Sequence, residues 1–306
     1  MNRRTFLFEL AAIGAGTSAF AACAGAKAGT VATPATGAAA NAGASAVGGA
    51  PASTKVIGLQ MYTVRDLLEK DFEGTVEKVA QVGYKNLEFA GYANRRPEQI
   101  RALLDRLGLV STSAHIGAQL MRPDPAGQIK SATVIGQDYI TIPSYNFGRE
   151  GVAGWKKGVA EFNTWGKMCK DAGIKLAYHN HAAEFAPIEG APNGYDVLVR
   201  EVDPALVDFE LDLYWAAFAS QDPHALFAKY PGRFAMWHVK DLLLTNGTKG
   251  MTPVGKGMID FKSIFAHAPQ AGLKHFFVEH DSAATYPGGS LASIQASHDY
   301  LKQLLA

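Results

Sequence analysis

The chain is predicted to form an α/β fold, a single (β/α)8 TIM barrel behind an N-terminal signal segment and a linker. Three observations point there. Beyond Lys55 about 250 residues remain, the usual size of one such barrel, and no second domain boundary interrupts them. Eight short apolar runs alternate with stretches that carry apolar residues at helical spacing, as a parallel sheet requires. Glycine recurs just ahead of the runs, in Gly83-Tyr84, Gly108-Leu109, Gly173-Ile174 and Gly272-Leu273, where it reads as a helix C-cap leading into a strand. A doubly wound open sheet is the rival architecture.

Residues 1–23 read as a signal segment. Arg3-Arg4-Thr5-Phe6-Leu7 has the twin-arginine pattern, and a mildly apolar Ala/Gly stretch runs from Leu10 to Ala22. That stretch is shorter than the roughly 20 residues of a membrane span. Phe20-Ala21-Ala22-Cys23 resembles a lipoprotein signal box, which makes Cys23 the candidate lipid anchor; ordinary cleavage after Ala-x-Ala is the alternative. Residues 24–54 are almost entirely Ala, Gly, Thr, Ser and Pro, with Lys27 as their one charge. Such a segment buries too little surface to offset its ordering entropy, so it is expected to be a disordered tether. The protein is therefore expected to be exported, as a periplasmic or membrane-tethered lipoprotein.

Residues 55–306 make the barrel. The predicted strands are Val56–Met61, Lys85–Phe89, Val110–His115, Tyr139–Pro143, Lys175–Asn180, Val207–Asp212, Phe234–Val239 and His275–Glu279. Helices are predicted over Phe72–Val82, Pro97–Leu107, Trp155–Ala172 and Phe261–Ala271, with short ones near Pro125–Ile135 and Tyr195–Val202. Asp203-Pro204 stops the last of these. Leu244–Lys256 and Pro287-Gly288-Gly289-Ser290 read as lids or plain connectors.

Chemistry in such a barrel sits at the C-terminal ends of the strands. In chain order those ends deliver Gln60 and Arg65, Glu88, His115, then His179-Asn180-His181 with Glu184 beyond. Glu210 and Asp212, His238 and Lys240, and Glu279 and Asp281 follow. Alternation along a strand puts His238 and Lys240 on one face, and likewise Glu279 and Asp281. It also puts Asp208 and Glu210 on the Asp212 face, deeper in the barrel. Two carboxylates and an imidazole converging at one rim are costly to desolvate unless a cation sits between them. Asp212, His238 and Glu279 are thus the core of a candidate metal site, the alternative being a metal-free polar network.

The chain from Val56 to Leu305 resembles the xylose-isomerase-like barrel superfamily, the sugar phosphate isomerase/epimerase type that also includes inosose dehydratases, ketose 3-epimerases and endonuclease IV. The likeness is carried by Ile57-Gly58-Leu59-Gln60-Met61-Tyr62-Thr63-Val64-Arg65-Asp66, Tyr178-His179-Asn180-His181, Leu211-Asp212, His238-Val239-Lys240-Asp241, Val254-Gly255-Lys256-Gly257-Met258-Ile259-Asp260-Phe261 and Val278-Glu279. It implies one divalent ion held by Asp212, His238 and Glu279. The fourth ligand, a Glu on the fifth strand in many epimerases, is replaced here, so that role passes to His181 or to Glu184.

Mixed carboxylate and imidazole ligands without thiolate suit Mn, Mg, Co or Zn. The expected chemistry is proton transfer beside a sugar carbonyl through an enediolate. Glu184 or Glu279 is the expected base, and Lys240 the cation facing substrate or intermediate oxygens. Gln60, Glu88, His115, His179 and Trp215 are the candidate substrate contacts. Each also has a plainer reading: Lys240 as an ion-pair partner of Asp241 or Asp281, His115 as a satisfied rim histidine, Glu88 as a structural partner, Trp215 as packing. Isomerisation, epimerisation and elimination share one intermediate, so a keto-sugar dehydratase or keto-glycoside lyase stands beside the isomerase. A tethered sugar-binding protein without turnover is the alternative of another class.

Composition narrows the partners. Lys and Arg number 29 against 28 Asp and Glu, a net charge of +1, which offers no basic groove for nucleic acid and disfavours an endonuclease. The expected partner is a small sugar or keto-sugar. With only Cys23 and Cys169, a disulfide framework is excluded, and Cys169 is expected to be a buried apolar residue.

Overall fold

A computed structural model describes residues 55–306. The twin-arginine pattern, Cys23 and the 24–54 linker lie outside the described residues. The strands, in chain order, are β1 (Gly58–Gln60), β2 (Asn86–Ala90), β3 (Val110–His115), β4 (Tyr139–Ile142), β5 (Lys175–His179), β6 (Val207–Asp212), β7 (Met236–Val239), β8 (Asp241–Thr245), β9 (Thr248–Thr252) and β10 (His275–Val278). Strands β1–β7 pair in sequence order and β10 closes the ring between β7 and β1, all in parallel. The eight predicted strands are these eight, with ends displaced by at most two residues.

Local chemistry sets the element ends. Asp71, Asp124, Asn193 and Asp260 each accept a backbone N–H from the first helical turn that follows, satisfying donors the helix itself leaves open. At the other end Gly83, Gly108, Gly173 and Gly272 all have positive φ, which lets the chain turn from helix into strand. The predicted helix Phe261–Ala271 is two pieces, Phe261–Ala266 and Ala268–Ala271, because Pro269 has no N–H to continue the ladder. The stretch after Asp241 is a hairpin rather than a loop, turning at Asn246-Gly247 with φ of 51° and 81°. An Asn-Gly pair with both residues at positive φ matches the right-handed twist of two short strands.

One large apolar core lies between the strands and the outer helices, and it includes Cys169, fully buried as expected. Inside the barrel the apolar layer is thin: Tyr139, Ala177, Ala235, Met236 and Phe277. Gly58 makes room for it, since a Cβ there would stand 2.6 Å from the Phe277 ring. Beneath this layer Asp208 accepts from Lys175 Nζ at 2.6 Å and from the Tyr139 hydroxyl at 3.1 Å, plugging the N-terminal mouth. Above it the barrel is polar, and that half carries the site.

Asp241 explains the motif Val254-Gly255-Lys256-Gly257. Val239 and Asp241 face away from His238 and Lys240, and the Asp241 carboxylate accepts the backbone N–H groups of Leu242, Gly255, Gly257 and Ile259 at 2.8–3.2 Å. A Cβ on Gly257 would lie 2.3 Å from Asp241 Oδ1, so only glycine lets the loop close on the acid. Hydrogen bonds to a charged group contribute more than neutral ones, so Asp241→Ala is expected to cost about 3 kcal/mol in urea unfolding. Amide exchange of Gly255, Gly257 and Ile259 should accelerate in the same variant; unchanged protection there would rule out the clamp.

Candidate metal centre and active site

His238 is the hub of the polar half. Its ring is fully buried, and each nitrogen faces carboxylates. Nδ1 lies 2.7 Å from Glu279 Oε2 and 3.9 Å from Asp212 Oδ2, while Nε2 lies 2.6 Å from Glu88 Oε2 and 3.1 Å from Glu210 Oε2. Glu88 is held in turn by Gln60, whose Nε2 donates to the same oxygen at 2.8 Å and whose Oε1 accepts the Tyr62 N–H. Glu210 meets His115 Nε2 at 2.8 Å and His179 Nδ1 at 3.2 Å. The strand period builds this stack: Asp208, Glu210 and Asp212 point inward at successive depths on β6, as do Met236, His238 and Lys240 along β7.

Lys240 forms the upper pole. Its ammonium, 2% exposed, lies 2.7 Å from Glu279 Oε2, 3.0 Å from Asp212 Oδ2 and 3.1 Å from Asp281 Oδ1. It also sits 5.9 Å above the Trp215 ring. Asp212 has a divided role. Its Oδ1 caps the helix Leu213–Phe218 by accepting the Trp215 N–H at 2.8 Å, which leaves Oδ2 aimed into the barrel without a hydrogen-bond partner among the described residues.

Proton affinities follow the geometry. Burial opposes charge on His238, but Glu210, Glu279 and Glu88 outweigh it and hold the imidazolium well above the usual histidine range. Burial likewise opposes the Lys240 charge, and Asp212, Glu279 and Asp281 overcome it. Burial, with the positive charge of His238 beside it, holds His179 well below its ordinary value. His181 is lowered to about 4 by burial and by Lys240. Glu210 is pushed up to about 7 by burial and by the Glu88 charge.

The expected residues divide by depth. Asp212, His238, Lys240 and Glu279 converge on one point, with one ligand atom each from Asp212, His238 and Glu279 within 4.8 Å of one another. His181 lies beside them, its ring 4.9 Å from that of His179 and 5.5 Å from Trp215, but outside that ligand group. Glu184 has both oxygens engaged, one by the Tyr178 hydroxyl at 2.8 Å and one by the His181 N–H at 3.0 Å, so it braces the loop after β5. Gln60, Glu88 and His179 lie buried within the network rather than on an open wall, His115 is partly open, and Trp215 flanks Lys240 and His181. Glu210 and Asp281, expected at the strand ends without an assigned role, both join the network. The signal for both was present, since alternation placed Glu210 under Asp212 and Asp281 beside Glu279.

A divalent cation fits the upper cluster. Two carboxylates and an imidazole form a hard-to-borderline donor set, and Asp212 Oδ2, which makes no hydrogen bond among the described residues and has only the Lys240 charge close by at 3.0 Å, is an atom that a cation would satisfy. Glu88, behind the far nitrogen of His238, is placed to fix the ring's orientation. Lys240 contributes a second positive charge to the same oxygens. Removing one partner of a buried ion pair leaves the other charge uncompensated, so Lys240→Met is expected to destabilise the metal-free protein by about 3–5 kcal/mol in urea unfolding. A loss under about 1 kcal/mol would mean the ammonium does not hold these acids together.

Comparison with known proteins agrees with the architecture. The xylose isomerase-like TIM barrel family matches residues 76–304. An inosose dehydratase of Geobacillus kaustophilus is 29% identical over 151 residues, covering 44% of this chain and 48% of the relative, so the match spans about half of that protein's length. The crystal structure of a sugar phosphate isomerase/epimerase from Parabacteroides distasonis superposes with a TM-score of 0.68 at 27% identity, covering 82% of this chain and 95% of that one. A xylose isomerase-like TIM barrel protein from Mycobacterium smegmatis in complex with magnesium gives 0.64 at 16% identity over 84% and 98% of the two chains, a likeness of fold alone. With three quarters of its length matched by the family and a closed eight-stranded parallel barrel, this chain belongs to the xylose isomerase-like TIM barrel family.

Proposed function

We propose that the protein is a divalent-metal-dependent enzyme that transfers protons beside the carbonyl of a sugar or keto-sugar, isomerising or epimerising it. The observation that carries this reading is the convergence of the Glu279 carboxylate, the Lys240 ammonium and the Asp212/His238 pair at the C-terminal mouth of the barrel. Asp212, His238 and Glu279 would hold the ion, with His181 as the nearest further imidazole. When bound, such an ion supplies Lewis-acid charge that favours the anionic form of a carbonyl compound.

The chain's own groups do the rest. Glu279 is the base that receives the carbon-bound proton, and its proton affinity is held low by Lys240 and His238 against the effect of burial. Lys240 faces the oxygen on which negative charge develops, in a site where few waters screen it. Trp215 and His181 form the wall against which a sugar ring lies. Glu184 stays in its brace, so the base role passes to Glu279. Return of the proton from Glu279 to the neighbouring carbon gives an isomer, whereas an epimer needs a proton delivered to the opposite face by a second donor, such as a water in the mouth of the barrel.

A second reading is dehydration, favoured by an acid beside a base: the Lys240 ammonium stands 2.7 Å from Glu279, as removal of a proton and protonation of a departing hydroxyl would need. The likeness to an inosose dehydratase supports the same chemistry. Export with Cys23 as a lipid anchor belongs to this proposal and rests on the Arg3-Arg4 and Phe20–Cys23 motifs.

The test is solvent-deuterium incorporation. Incubated in D2O with a panel of ketoses and inososes, the wild-type protein is expected to label a carbon next to the carbonyl, seen by NMR and mass spectrometry. Asp212→Ala and His238→Ala should each lower labelling by at least about 100-fold and reduce bound metal. Labelling without water loss selects the isomerase, and an unsaturated product selects the dehydratase. No exchange with any substrate, by protein shown to contain metal, would sink the enzyme reading.

A further inference from the structure

Below the upper cluster lies a second one that shares only His238 with it. Ligand atoms, one each from His115, His179, Glu210 and His238, gather within 4.8 Å of one another, and His115 Nε2, His179 Nδ1 and His238 Nε2 lie 2.8, 3.2 and 3.1 Å from Glu210 Oε2. Three imidazole rings are stacked or tilted at centroid distances of 4.5–5.0 Å around one carboxylate oxygen. His179 is 2% exposed, and its Nδ1 makes no hydrogen bond among the described residues although Glu210 is 3.2 Å away. Glu210 Oε1 and Glu88 Oε1 are also buried without partners.

We propose that this deeper cluster is a second metal site, with His115, His179 and Glu210 as its protein ligands. The separations of 2.8 Å and 3.2 Å from Glu210 Oε2 to the two imidazoles approach the ~3.3 Å edge of a tetrahedral shell with bonds near 2.0 Å. Two imidazoles and one carboxylate suit zinc or cobalt better than magnesium, whereas the two carboxylates of the upper cluster suit either kind of ion. His238 separates the sites. With Nδ1 turned to the upper ion, its Nε2 carries the proton and donates to Glu88, so the lower ion keeps an open position towards the partly exposed face of His115.

Charge balance argues the same way. Glu88, Glu210, Asp212, Glu279 and Asp281 lie within 4 Å of these imidazoles or of Lys240, the one lysine among them. Five acids thus face one lysine, an imbalance that bound divalent cations would reduce. A buried excess of like charge is strongly disfavoured.

The inference goes beyond the proposed function, which needs only the upper ion, and cobalt(II) titration of the chelator-stripped full chain tests it. Equilibrium dialysis with metal analysis should find about two equivalents in the wild-type protein and about one in His115→Ala, His179→Asn and Asp212→Ala. The remaining equivalent reports that each variant is folded. The d–d absorption of the ion lost from the two histidine variants should differ from that of the ion lost from Asp212→Ala. Saturation of the wild type at one equivalent, or two equivalents retained by both histidine variants, would overturn the second site. A single equivalent that vanishes in Asp212→Ala would do so while leaving the proposed reaction intact.

Discussion

Five carboxylates crowd one imidazole and one ammonium at the open end of this barrel, and the rest of the upper structure is arranged around neutralising them. In a low-dielectric interior each unpaired carboxylate costs several kcal/mol. The protein answers with His238, whose two nitrogens face carboxylates on opposite sides, and with Lys240, which meets three. Neither residue acts alone, because successive inward positions on one strand stack them. Strand period thus becomes electrostatics.

The site also depends on what holds its edges. Asp212 caps a helix with one oxygen and faces the barrel with the other, so the backbone fixes the direction of a functional atom. Asp241, one residue past Lys240 and on the opposite face, ties the loop 253–259 to the strand end through three of that loop's backbone amides. Glu184 does similar work after β5, bonding the Tyr178 hydroxyl and the His181 amide. Acids that sequence alone places in one class therefore separate into those that face the interior and those that fasten the backbone around it.

Most of the fold was legible before any coordinates. Periods of two and of 3.6, Gly C-caps and Asx N-caps are local signals, and local signals determine where strands and helices begin. The gaps had local causes as well. Pro269 breaks a helix whose apolar spacing runs on through it, and the Asn246-Gly247 turn was readable but was overshadowed by the polar loop around it. His298, on a helix whose spacing does not say which face is covered, is 8% exposed against the Tyr84 ring, because the face a helix buries is chosen by its neighbours.

By itself the sequence determined the barrel, the rim that carries chemistry, and the meeting of Asp212, His238 and Glu279, since each follows from short-range periodicity and chain order. Only the tertiary structure decided which inward groups touch across the barrel. Glu88 and Glu210, on strands far apart in the chain, close on the same imidazole nitrogen, and Lys240 lies between acids from β6 and β10. Such contacts depend on the stagger of strands around a closed ring, a property of the whole sheet that no single segment contains.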